Sequence, residues 1–463
     1  MKGITMAKQA EIRMTEGAIA PQIVRFALPL FLGNLFQQLY NAADTLIVGR
    51  ILGDSALAAV SSSGSLLFLL VGFFGGLSMG AGVVISQFFG ARDTVRMRRA
   101  IHTNLVLSFF VGLFLTAFGT ILAPQILIWM DTPASVLVQA TEYVRVYFAG
   151  VSTMVLYNAC TGIMQAVGDS KHPLYYLIVS SCTNVVLDIV FIRYFHMGVG
   201  GAAFATVLSQ LVSVVLCLSR LFRLKTDTRV CIKELKPDKE CLVLILRFGL
   251  PSALQNSVIS FANVVVQSNI NAFGEAAMAG CGAYSKIEGF AFLPVTCFTA
   301  AITTFVGQNL GAGLYDRVKR GAVFGVAVGM ALGEAIGAAI FLFSPQLIGL
   351  FTAGEEAIAF GIGKAHVCGL FFFLCAASHC LSAVLRGAGR ANVPMIIILI
   401  CWCVIRVTIL QIVTPITKTI DIVNWVYPIT WTLSATLLTV YFFCVDWMHG
   451  GSRATSGKRE KAA

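Results

Sequence analysis

Charged residues are scarce in this chain of 463 amino acids: Asp, Glu, Lys and Arg together make up 12% of it. A soluble globular domain carries about 25% charged residues, so this share leaves too few charges to cover a surface in water. Hydrophobic residues make up 57%, and the mean hydropathy is +0.83. These values predict a polytopic membrane protein and exclude a disordered chain, a disulfide-stapled secreted module and an ordinary soluble enzyme.

Several signatures of catalysis and nucleotide binding are also absent from the sequence. There is no P-loop, dinucleotide fingerprint, HExxH motif or nucleophile elbow. The interleaved basic and aromatic residues typical of proteins that bind single-stranded nucleic acid are missing as well. We therefore expect neither an enzyme nor a nucleic-acid-binding protein, and we expect no cofactor.

The 13 cysteines form no CxxC pair, and most of them lie in apolar stretches. Cys401 and Cys403 are two positions apart, which on a helix turns them about 200° from each other and argues against a shared metal ion. We expect small, buried, reduced side chains. Residues 1–23 lack the apolar core and cleavage site of a signal peptide, so the first apolar helix is expected to stay in the membrane.

Twelve apolar runs are each long enough to cross a bilayer core, which takes about 20 helical residues. They cover 24–48, 57–88, 101–124, 140–166, 173–194, 201–222, 243–270, 277–306, 321–343, 358–385, 394–416 and 422–445. We predict an all-α polytopic membrane protein with 12 transmembrane helices in two six-helix lobes. The predicted parts are a cytoplasmic N-terminus (1–22), an N-lobe (23–222), a cytoplasmic linker (223–242), a C-lobe (243–446) and a basic cytoplasmic tail (447–463).

The positions of Lys and Arg predict the orientation. With both termini in the cytoplasm, the inner segments hold 24 of the 33 Lys and Arg residues and the outer loops hold 3. Cytoplasmic loops are rich in Lys and Arg, which also accounts for the formal net charge of +11. We therefore expect a multi-pass protein of a bacterial plasma (inner) membrane with both termini inside.

The two halves of the chain resemble each other at a nearly constant shift in residue number. The run from Gln87 to Ala91 matches the run from Gln308 to Ala312. Arg25-Phe-Ala-Leu-Pro29 matches Arg247-Phe-Gly-Leu-Pro251 at a shift that is one residue larger. The shift spans six helices, an even number, so both halves share one topology and are related by a pseudo-two-fold axis along the membrane normal. Transporters with parallel repeats have this architecture, and they bind substrate between two lobes.

Two acidic residues lie inside predicted spans of the N-lobe. An ionisable residue there costs about 2.5–3.5 kcal/mol even on the mild insertion scale, so Asp44 and Asp188 are functional candidates. Asn184 precedes Asp188 by four residues and shares its helix face. At the shift that pairs Gln87 with Gln308, Asp44 becomes Val265 and Asp188 becomes Ile409, so packing alone does not require either acid.

The chemistry of such a pair fits a switchable cation site. Two carboxylates in a shielded pocket repel each other, so we expect at least one of them to hold a proton. Alternatively, both ionise and bind Na⁺ together with Asn and Thr oxygens, which makes Na⁺ the metal ion that Asp44 and Asp188 would hold. The purely structural alternative is a buried carboxylic acid that is hydrogen-bonded across helices.

Other polar residues in the spans are weaker candidates. A cavity for bulky amphiphiles would carry a few polar groups among apolar and aromatic ones. Five residues are candidates for its lining: Gln37, Asn41, Gln255, Tyr284 and Arg406. The pattern leaves open the roles of five ionisable residues, which are Glu334, Lys286, Glu288, His379 and Arg406.

Several short motifs are spread over the chain from about Ile23 to Val445. They are Leu28-Pro29 with Gln37-Gln38 and Asp44, Val48-Gly49-Arg50 with Gly53, Gln87 to Ala91, Gly168-Asp169-Ser170 with Pro173, and Gly307 to Ala312. Together these motifs resemble the multidrug and toxic compound extrusion (MATE) family of transporters. The run from Gly307 to Ala312 is the most specific of these motifs.

The resemblance implies an antiporter that exchanges Na⁺ or H⁺ for amphiphilic, usually cationic drugs by alternating access. It also implies a monomer whose partners are a small amphiphilic molecule and membrane lipid. The chain is similar to the DNA-damage-inducible-F-like bacterial branch, in which the cation site lies in the N-lobe. The residues implied for that site are Asp44, Asn184, Asp188 and Thr206, with Asn158 nearby.

Two alternatives stay open. A lipid-linked precursor flippase of the same superfamily would need basic residues deep in the cavity, for which Arg25, Arg145, Arg247 and Arg406 are the candidates. A major facilitator carrier is also built from six plus six helices. Its usual Gly-Asp-Arg-Gly-Arg type of signature does not fit the loop that follows Gly90.

Overall fold

The computed structural model describes residues 13–130 and 132–449, and within these ranges the regular structure is helical, with no β-strand. The helices of the first half are α1 (Ile19–Leu52), α2 (Asp54–Gly90), α3 (Thr94–Trp129), α4 (Ala134–Ala149), α5 (Val151–Ala166), α6 (Lys171–Ile189) and α7 (Gly198–Arg223). Those of the second half are α8 (Lys239–Asn271), α9 (Glu275–Ala291), α10 (Leu293–Gly311), α11 (Tyr315–Gly349), α12 (Glu355–Gly369), α13 (Phe372–Gly387), α14 (Asn392–Ile398), α15 (Arg406–Thr417) and α16 (Asp421–Cys444).

Ten segments are long and apolar enough to cross a membrane as single spans. Two helix pairs qualify jointly and are bent, α4 with α5 by 47° and α12 with α13 by 53°, which brings the total to 12 if each pair is one span. The all-α polytopic fold predicted from the apolar runs is confirmed. The bends were not predicted, because the length and hydropathy of an apolar run do not show whether the helix that it forms is straight or bent.

Both bent spans break at the same place in the repeat. Gly150 separates α4 from α5, and Leu370 and Phe371 separate α12 from α13. A third break, at Phe292 between α9 and α10, has no counterpart in α2. Pro294 lies in the first turn of α10, where its missing N–H group is tolerated and where it cannot extend the preceding helix.

The backbone reproduces the internal repeat. Three pairs of helices begin at positions that the sequence shift places on each other: α3 and α11 at Thr94 and Tyr315, α4 and α12 at Ala134 and Glu355, and α6 and α14 at Lys171 and Asn392. The turns match as well, since Gly53 and Gly274 both adopt positive φ angles, 84° and 92°. Glycine tolerates this conformation because it has no Cβ atom. The repeat is therefore structural as well as sequential.

The chain forms two compact units, each with cores of its own. Of the described residues, unit 1 contains residue 13 and Leu28–Gly249, and unit 2 contains Met14–Ala27 and residues 250–449. The first part of α1 therefore belongs with the second half of the chain, and the first part of α8 belongs with the first half. Most of the predicted N-terminus (1–12 of 1–22) and of the predicted tail (450–463 of 447–463) lies outside the described residues.

The outer faces of the helices are apolar. Large hydrophobic side chains such as Phe110, Ile121, Leu342 and Phe443 are more than half exposed in the isolated chain. Many exposed apolar side chains of this size are unfavourable in water and suit lipid acyl chains. All 13 cysteines are free, and most are buried, as the apolar stretches predicted.

Two short π-helical segments lie beside ionisable residues. The segment Val190–Tyr194 continues α6 and begins two residues after Asp188, and the segment Leu399–Ile405 leads into Arg406 at the start of α15. A π-helical turn has hydrogen bonds between residues five apart, in place of the four of an α-helix, and is frequent at functional sites. These segments mark one place in each unit where the backbone departs from regular α-helical geometry.

Candidate functional site

Asp44 of α1 and Asp188 of α6 lie together in unit 1. Their carboxyl groups are within hydrogen-bonding reach of each other, although four helices separate α1 from α6 along the chain. Asp188 is fully buried, with 0% of its surface exposed, and Asp44 is half-buried. The structure thus brings together the two acids that stood out in the predicted spans.

The oxygens of this carboxyl pair lack donors. Oδ1 of Asp44 and both carboxyl oxygens of Asp188 accept no hydrogen bond from a donor group of the described residues. None of the described ion pairs within 4.0 Å involves either residue. Two ionised carboxylates offer only acceptors to each other, so the pair needs a proton on one group or a cation beside both.

Asn184 extends the site along α6. It is 1% exposed, and its Oδ1 atom also accepts no hydrogen bond from the described donors. Its Nδ2 atom donates to Oγ1 of Thr206 on α7 at 3.5 Å. Asn158 is turned elsewhere, since its Nδ2 atom donates to the backbone oxygen of Met154 within α5.

Sequence reasoning missed three tyrosines at this site. The phenol groups of Tyr40 and Tyr143 lie within electrostatic range of both carboxyl groups. The rings of Tyr143 and Tyr147 stack with their centroids 6.4 Å apart, and both side chains are buried. Tyr143 and Tyr147 are four residues apart in a predicted span, so their shared face was the available signal.

The donor set of the site consists of oxygen atoms. No group of three His, Cys, Asp or Glu side chains converges in the described part of the chain. Two carboxylates with an amide oxygen and a hydroxyl oxygen suit a proton or a hard monovalent cation better than a transition metal. Which of H⁺ and Na⁺ the site binds stays a prediction.

The candidate cavity residues fall in both units. Gln37 of unit 1 lies near the hydroxyl of Tyr40, and the Asn41 side chain is exposed, with its Nδ2 atom 3.5 Å from Oε1 of Gln38. Gln255, Tyr284 and Arg406 belong to unit 2 and are buried.

The five ionisable residues whose roles were open differ in environment. Lys286 is exposed, whereas one carboxyl oxygen of Glu334 is buried and accepts no hydrogen bond from the described residues. His379 packs edge-on against Phe292 and Trp402, with centroids 4.7 and 5.3 Å away. The other two are Glu288 and Arg406. Glu288 lies within electrostatic range of Arg406 and of the buried Lys364, a cation in the tenth span that the sequence reasoning overlooked, and both cations lie over the ring of Tyr427.

Twelve spans in two structurally repeated halves, with a buried carboxyl pair in one half, define a membrane transporter. The sequence pattern of the MatE family matches residues 29–190 and 251–411, two segments that begin at corresponding prolines of the two halves. The chain therefore belongs to the MatE family, whose members are transporters and not enzymes. This confirms the resemblance seen in the sequence motifs.

Relatives and solved structures agree with this assignment. The chain is 30% identical over 450 residues to "Probable multidrug resistance protein YoeA" of Bacillus subtilis (strain 168), covering 94% of this chain and 97% of the relative. A solved structure described as "Outward-facing conformation of a multidrug resistance MATE family transporter of the MOP superfamily" matches with a TM-score of 0.85 and 26% identity, covering 96% and 98% of the two chains. A second, described as "Reverse polarity of binding pocket suggests different function of a MOP superfamily transporter from Pyrococcus furiosus Vc1 (DSM3638)", matches with a TM-score of 0.87 and 26% identity, covering 96% and 98%.

Proposed function

We propose that this protein is a secondary active antiporter that exports amphiphilic, cationic drugs or toxic metabolites from a bacterial cell in exchange for H⁺ or Na⁺. The single observation that carries the proposal is the pairing of Asp44 with the buried Asp188, in which three of the four carboxyl oxygens are buried and accept no hydrogen bond from the described residues. Membership of the MatE family and similarity to a relative named as a multidrug resistance protein support the export of drugs.

The coupling ion binds in unit 1. Asp44 and Asp188 supply two carboxylates, Asn184 supplies an amide oxygen that accepts no hydrogen bond from the described residues, and the hydroxyl of Thr206 lies beside that amide. One proton shared by the two acids, or one Na⁺ ion held by these oxygens, removes the repulsion between the carboxylates. Both ions therefore satisfy the same electrostatic need.

Exchange follows if the ion and the drug favour different conformations. An ion that enters the carboxyl pair from outside stabilises one conformation, and drug that binds from the cytoplasm stabilises the other. A ligand shifts such an equilibrium only by its difference in affinity for the two states. A tenfold preference of the ion for one state corresponds to about 1.4 kcal/mol of coupling.

The test uses the full-length protein in proteoliposomes that contain the fluorescent amphiphilic cation ethidium. Na⁺ and H⁺ gradients are imposed separately, and ethidium efflux is followed by fluorescence. We expect one gradient to drive efflux by the wild-type protein. In Asp44→Asn and Asp188→Asn, gradient-driven efflux is expected to fall at least tenfold, while the unfolding temperature stays near that of the wild type because the side chains keep their size.

Asp421→Asn is the matched control, since Asp421 is an exposed acid in the first turn of α16 in unit 2. It should leave gradient-driven efflux unchanged. Wild-type rates in both Asp44→Asn and Asp188→Asn would refute the coupling role of the pair. A wild-type protein that responds to neither gradient would refute the antiport mechanism itself.

A further inference from the structure

Unit 2 carries two buried cations at the repeat counterpart of the carboxyl site. At the shift that pairs Gln87 with Gln308, Tyr143 of unit 1 corresponds to Lys364, and Thr206 corresponds to Tyr427. Arg406 corresponds to Val185, which directly follows Asn184. The place in the fold that holds two acids in unit 1 therefore holds two bases in unit 2.

Lys364 is 2% exposed, in the middle of α12. Its Nζ atom lies 5.3 Å from the ring centroid of Tyr284 and 4.9 Å from that of Tyr427. No hydrogen-bond acceptor or ion-pair partner of Nζ occurs among the described residues, so aromatic faces are its immediate neighbours. Cation–π contacts stabilise a buried ammonium group by less than its desolvation costs.

Arg406 is also 2% exposed. Its Nε and Nη2 atoms donate to Oγ1 of Thr430 at 3.3 and 2.8 Å, and its guanidinium carbon lies 4.4 Å from the centroid of Tyr427 and 5.3 Å from that of Trp402. A guanidinium group has five N–H donors, and Thr430 takes two of them. In the part of the chain that the structure describes, the remaining three have no acceptor.

Glu288 is the acid within electrostatic range of both cations. No described ion pair within 4.0 Å joins its carboxyl group to Lys364 or Arg406, so it neutralises them only from a distance. Two positive charges and one negative charge leave a surplus of one positive charge in a buried setting. An isolated buried charge is strongly unfavourable unless a partner of opposite sign is present.

We propose that Lys364 and Arg406 form a binding site for one acidic group in unit 2. The group is a carboxylate, sulfonate or phosphate, and its source is either an amphiphilic substrate or a free inorganic anion. The free N–H donors of Arg406 suit the paired oxygens of such a group. The rings of Tyr284, Tyr427 and Trp402 supply the apolar contacts that an amphiphile needs.

This inference extends the range of substrates beyond plain cations. A zwitterionic or anionic amphiphile would place its acidic group against Lys364 and Arg406. The anion site does not depend on the ion-coupling role of Asp44 and Asp188, because it is defined by residues of unit 2 and can be tested by binding without any gradient. The two proposals therefore succeed or fail separately.

The test measures binding of dansylglycine and of its amide, which differ in one carboxylate, to the full chain in neutral lipid nanodiscs by fluorescence anisotropy. We expect dansylglycine to bind at least tenfold more tightly than the amide. Lys364→Met and Arg406→Met should each abolish that preference. Lys286→Met is the matched control, since Lys286 is an exposed lysine on α9, and it should keep the preference.

Glu288→Gln guards against a result that only reflects misfolding. Removing this competing acid should strengthen dansylglycine binding severalfold, a gain that a damaged protein would not give. Inorganic phosphate is then titrated in at constant ionic strength to identify the source of the acidic group. Saturable phosphate binding that needs both Lys364 and Arg406 supports the site with a free anion as occupant, whereas dansylglycine binding that phosphate does not displace supports a substrate acid.

The proposal is overturned if neither dansylglycine binding nor phosphate binding depends on Lys364 and Arg406. It is likewise overturned if the preference for the acid persists in both Met variants, or if Glu288→Gln weakens binding of the acid. Conservative replacements complete the test: Lys364→Arg and Arg406→Lys keep the charges and should retain a measurable preference for the acid.

Discussion

The guanidinium group of Arg317 holds the backbone oxygen of Met14 through two hydrogen bonds, 3.3 Å from Nε and 3.1 Å from Nη2. Nη1 of the same side chain donates to the backbone oxygen of Gly17 at 2.7 Å. Two further hydrogen bonds hold the same residue: Oε1 of Gln308 accepts from the Met14 amide, and Nδ2 of Asn309 donates to the Met14 oxygen. We call these contacts of Arg317, Gln308 and Asn309 the clamp. The most specific sequence motif of the chain thus fixes the segment that precedes α1 within unit 2.

Arg317→Ala should release this segment. Hydrogen bonds to charged groups contribute about 1.5–3 kcal/mol each, so loss of the clamp should speed amide exchange of the Met14–Gly17 segment by roughly ten- to a hundredfold. Hydrogen–deuterium exchange with mass spectrometry measures the change. Lys319→Ala, an exposed neighbour on α11, is the control, and equal protection in Arg317→Ala and Lys319→Ala would contradict the clamp.

Asp169 should make the stability of unit 1 depend on pH. This residue is 5% exposed, and its Oδ2 atom accepts from Nη2 of Arg220 at 3.1 Å, while Nδ1 of His172 lies 2.8 Å from its Oδ1. Burial acts to raise the pKa of Asp169, but the hydrogen bond and charge of His172, together with the charge of Arg220, outweigh it and hold the pKa below its ordinary value. The stabilisation is therefore fully present above the unfolded-state pKa, near 4, and is lost as the pH falls through the folded-state pKa.

Asp169→Asn should lower the free energy of unfolding at pH 7 by about 2 kcal/mol, and its stability should fall less steeply than that of the wild type below pH 4. Thermal unfolding in detergent across pH 3–7 measures both effects. Asp446→Asn is the control, because Asp446 makes the same contact with a histidine three residues later, His449, but is exposed. Identical pH profiles for Asp169→Asn and the wild type would exclude the ion pair as a stabilising feature.

The contact between α9 and α12 should tolerate no side chain at Gly280. A Cβ atom at this position would collide with the backbone oxygen of Ala357 and come within 2.8 Å of the backbone nitrogen of Gly361. Gly280→Ala is therefore expected to destabilise the protein by about 1–3 kcal/mol, as overpacking does. At Gly282 a Cβ atom meets nothing within 4 Å, so Gly282→Ala should be neutral or stabilising by up to about 1 kcal/mol.

Thermal unfolding of the two alanine variants, measured side by side in one detergent, checks this prediction. The expected order of unfolding temperatures is Gly282→Ala at or above the wild type, and Gly280→Ala below both. If Gly280→Ala unfolds at the wild-type temperature, the two helices are not packed as closely as the structure has them.

Much of the fold was predictable because the insertion of a helix into a membrane depends on the summed hydrophobicity of consecutive residues. Each of the twelve spans was found from about 20 consecutive apolar residues, and the predicted edges differ from the helix ends mainly where polar turns extend a helix. The run 101–124 became α3, which begins at Thr94, since Asp93 accepts a hydrogen bond from the Arg96 amide at its start. Such capping lies outside the apolar run that hydropathy detects.

The candidate site was predictable only in part. Asp44 and Asp188 stood out because an acid in a membrane span is costly wherever it points. Tyr143 and Lys364 were missed, because a tyrosine is unremarkable in an apolar run and a lone lysine gives no sign of its neighbours.

The sequence by itself determined that this chain spans a membrane twelve times, that its second half repeats its first, and that one repeat carries two acids the other lacks. The spans follow from the summed hydropathy of consecutive residues, and the repeat and its two extra acids follow from comparing the two halves of the sequence. The tertiary structure decided that Asp44 and Asp188 meet, that Arg317 reaches back to Met14, and that Lys364 and Arg406 share the ring of Tyr427. Such contacts between side chains depend on how each helix is rotated and bent against its neighbours, which local hydropathy does not encode.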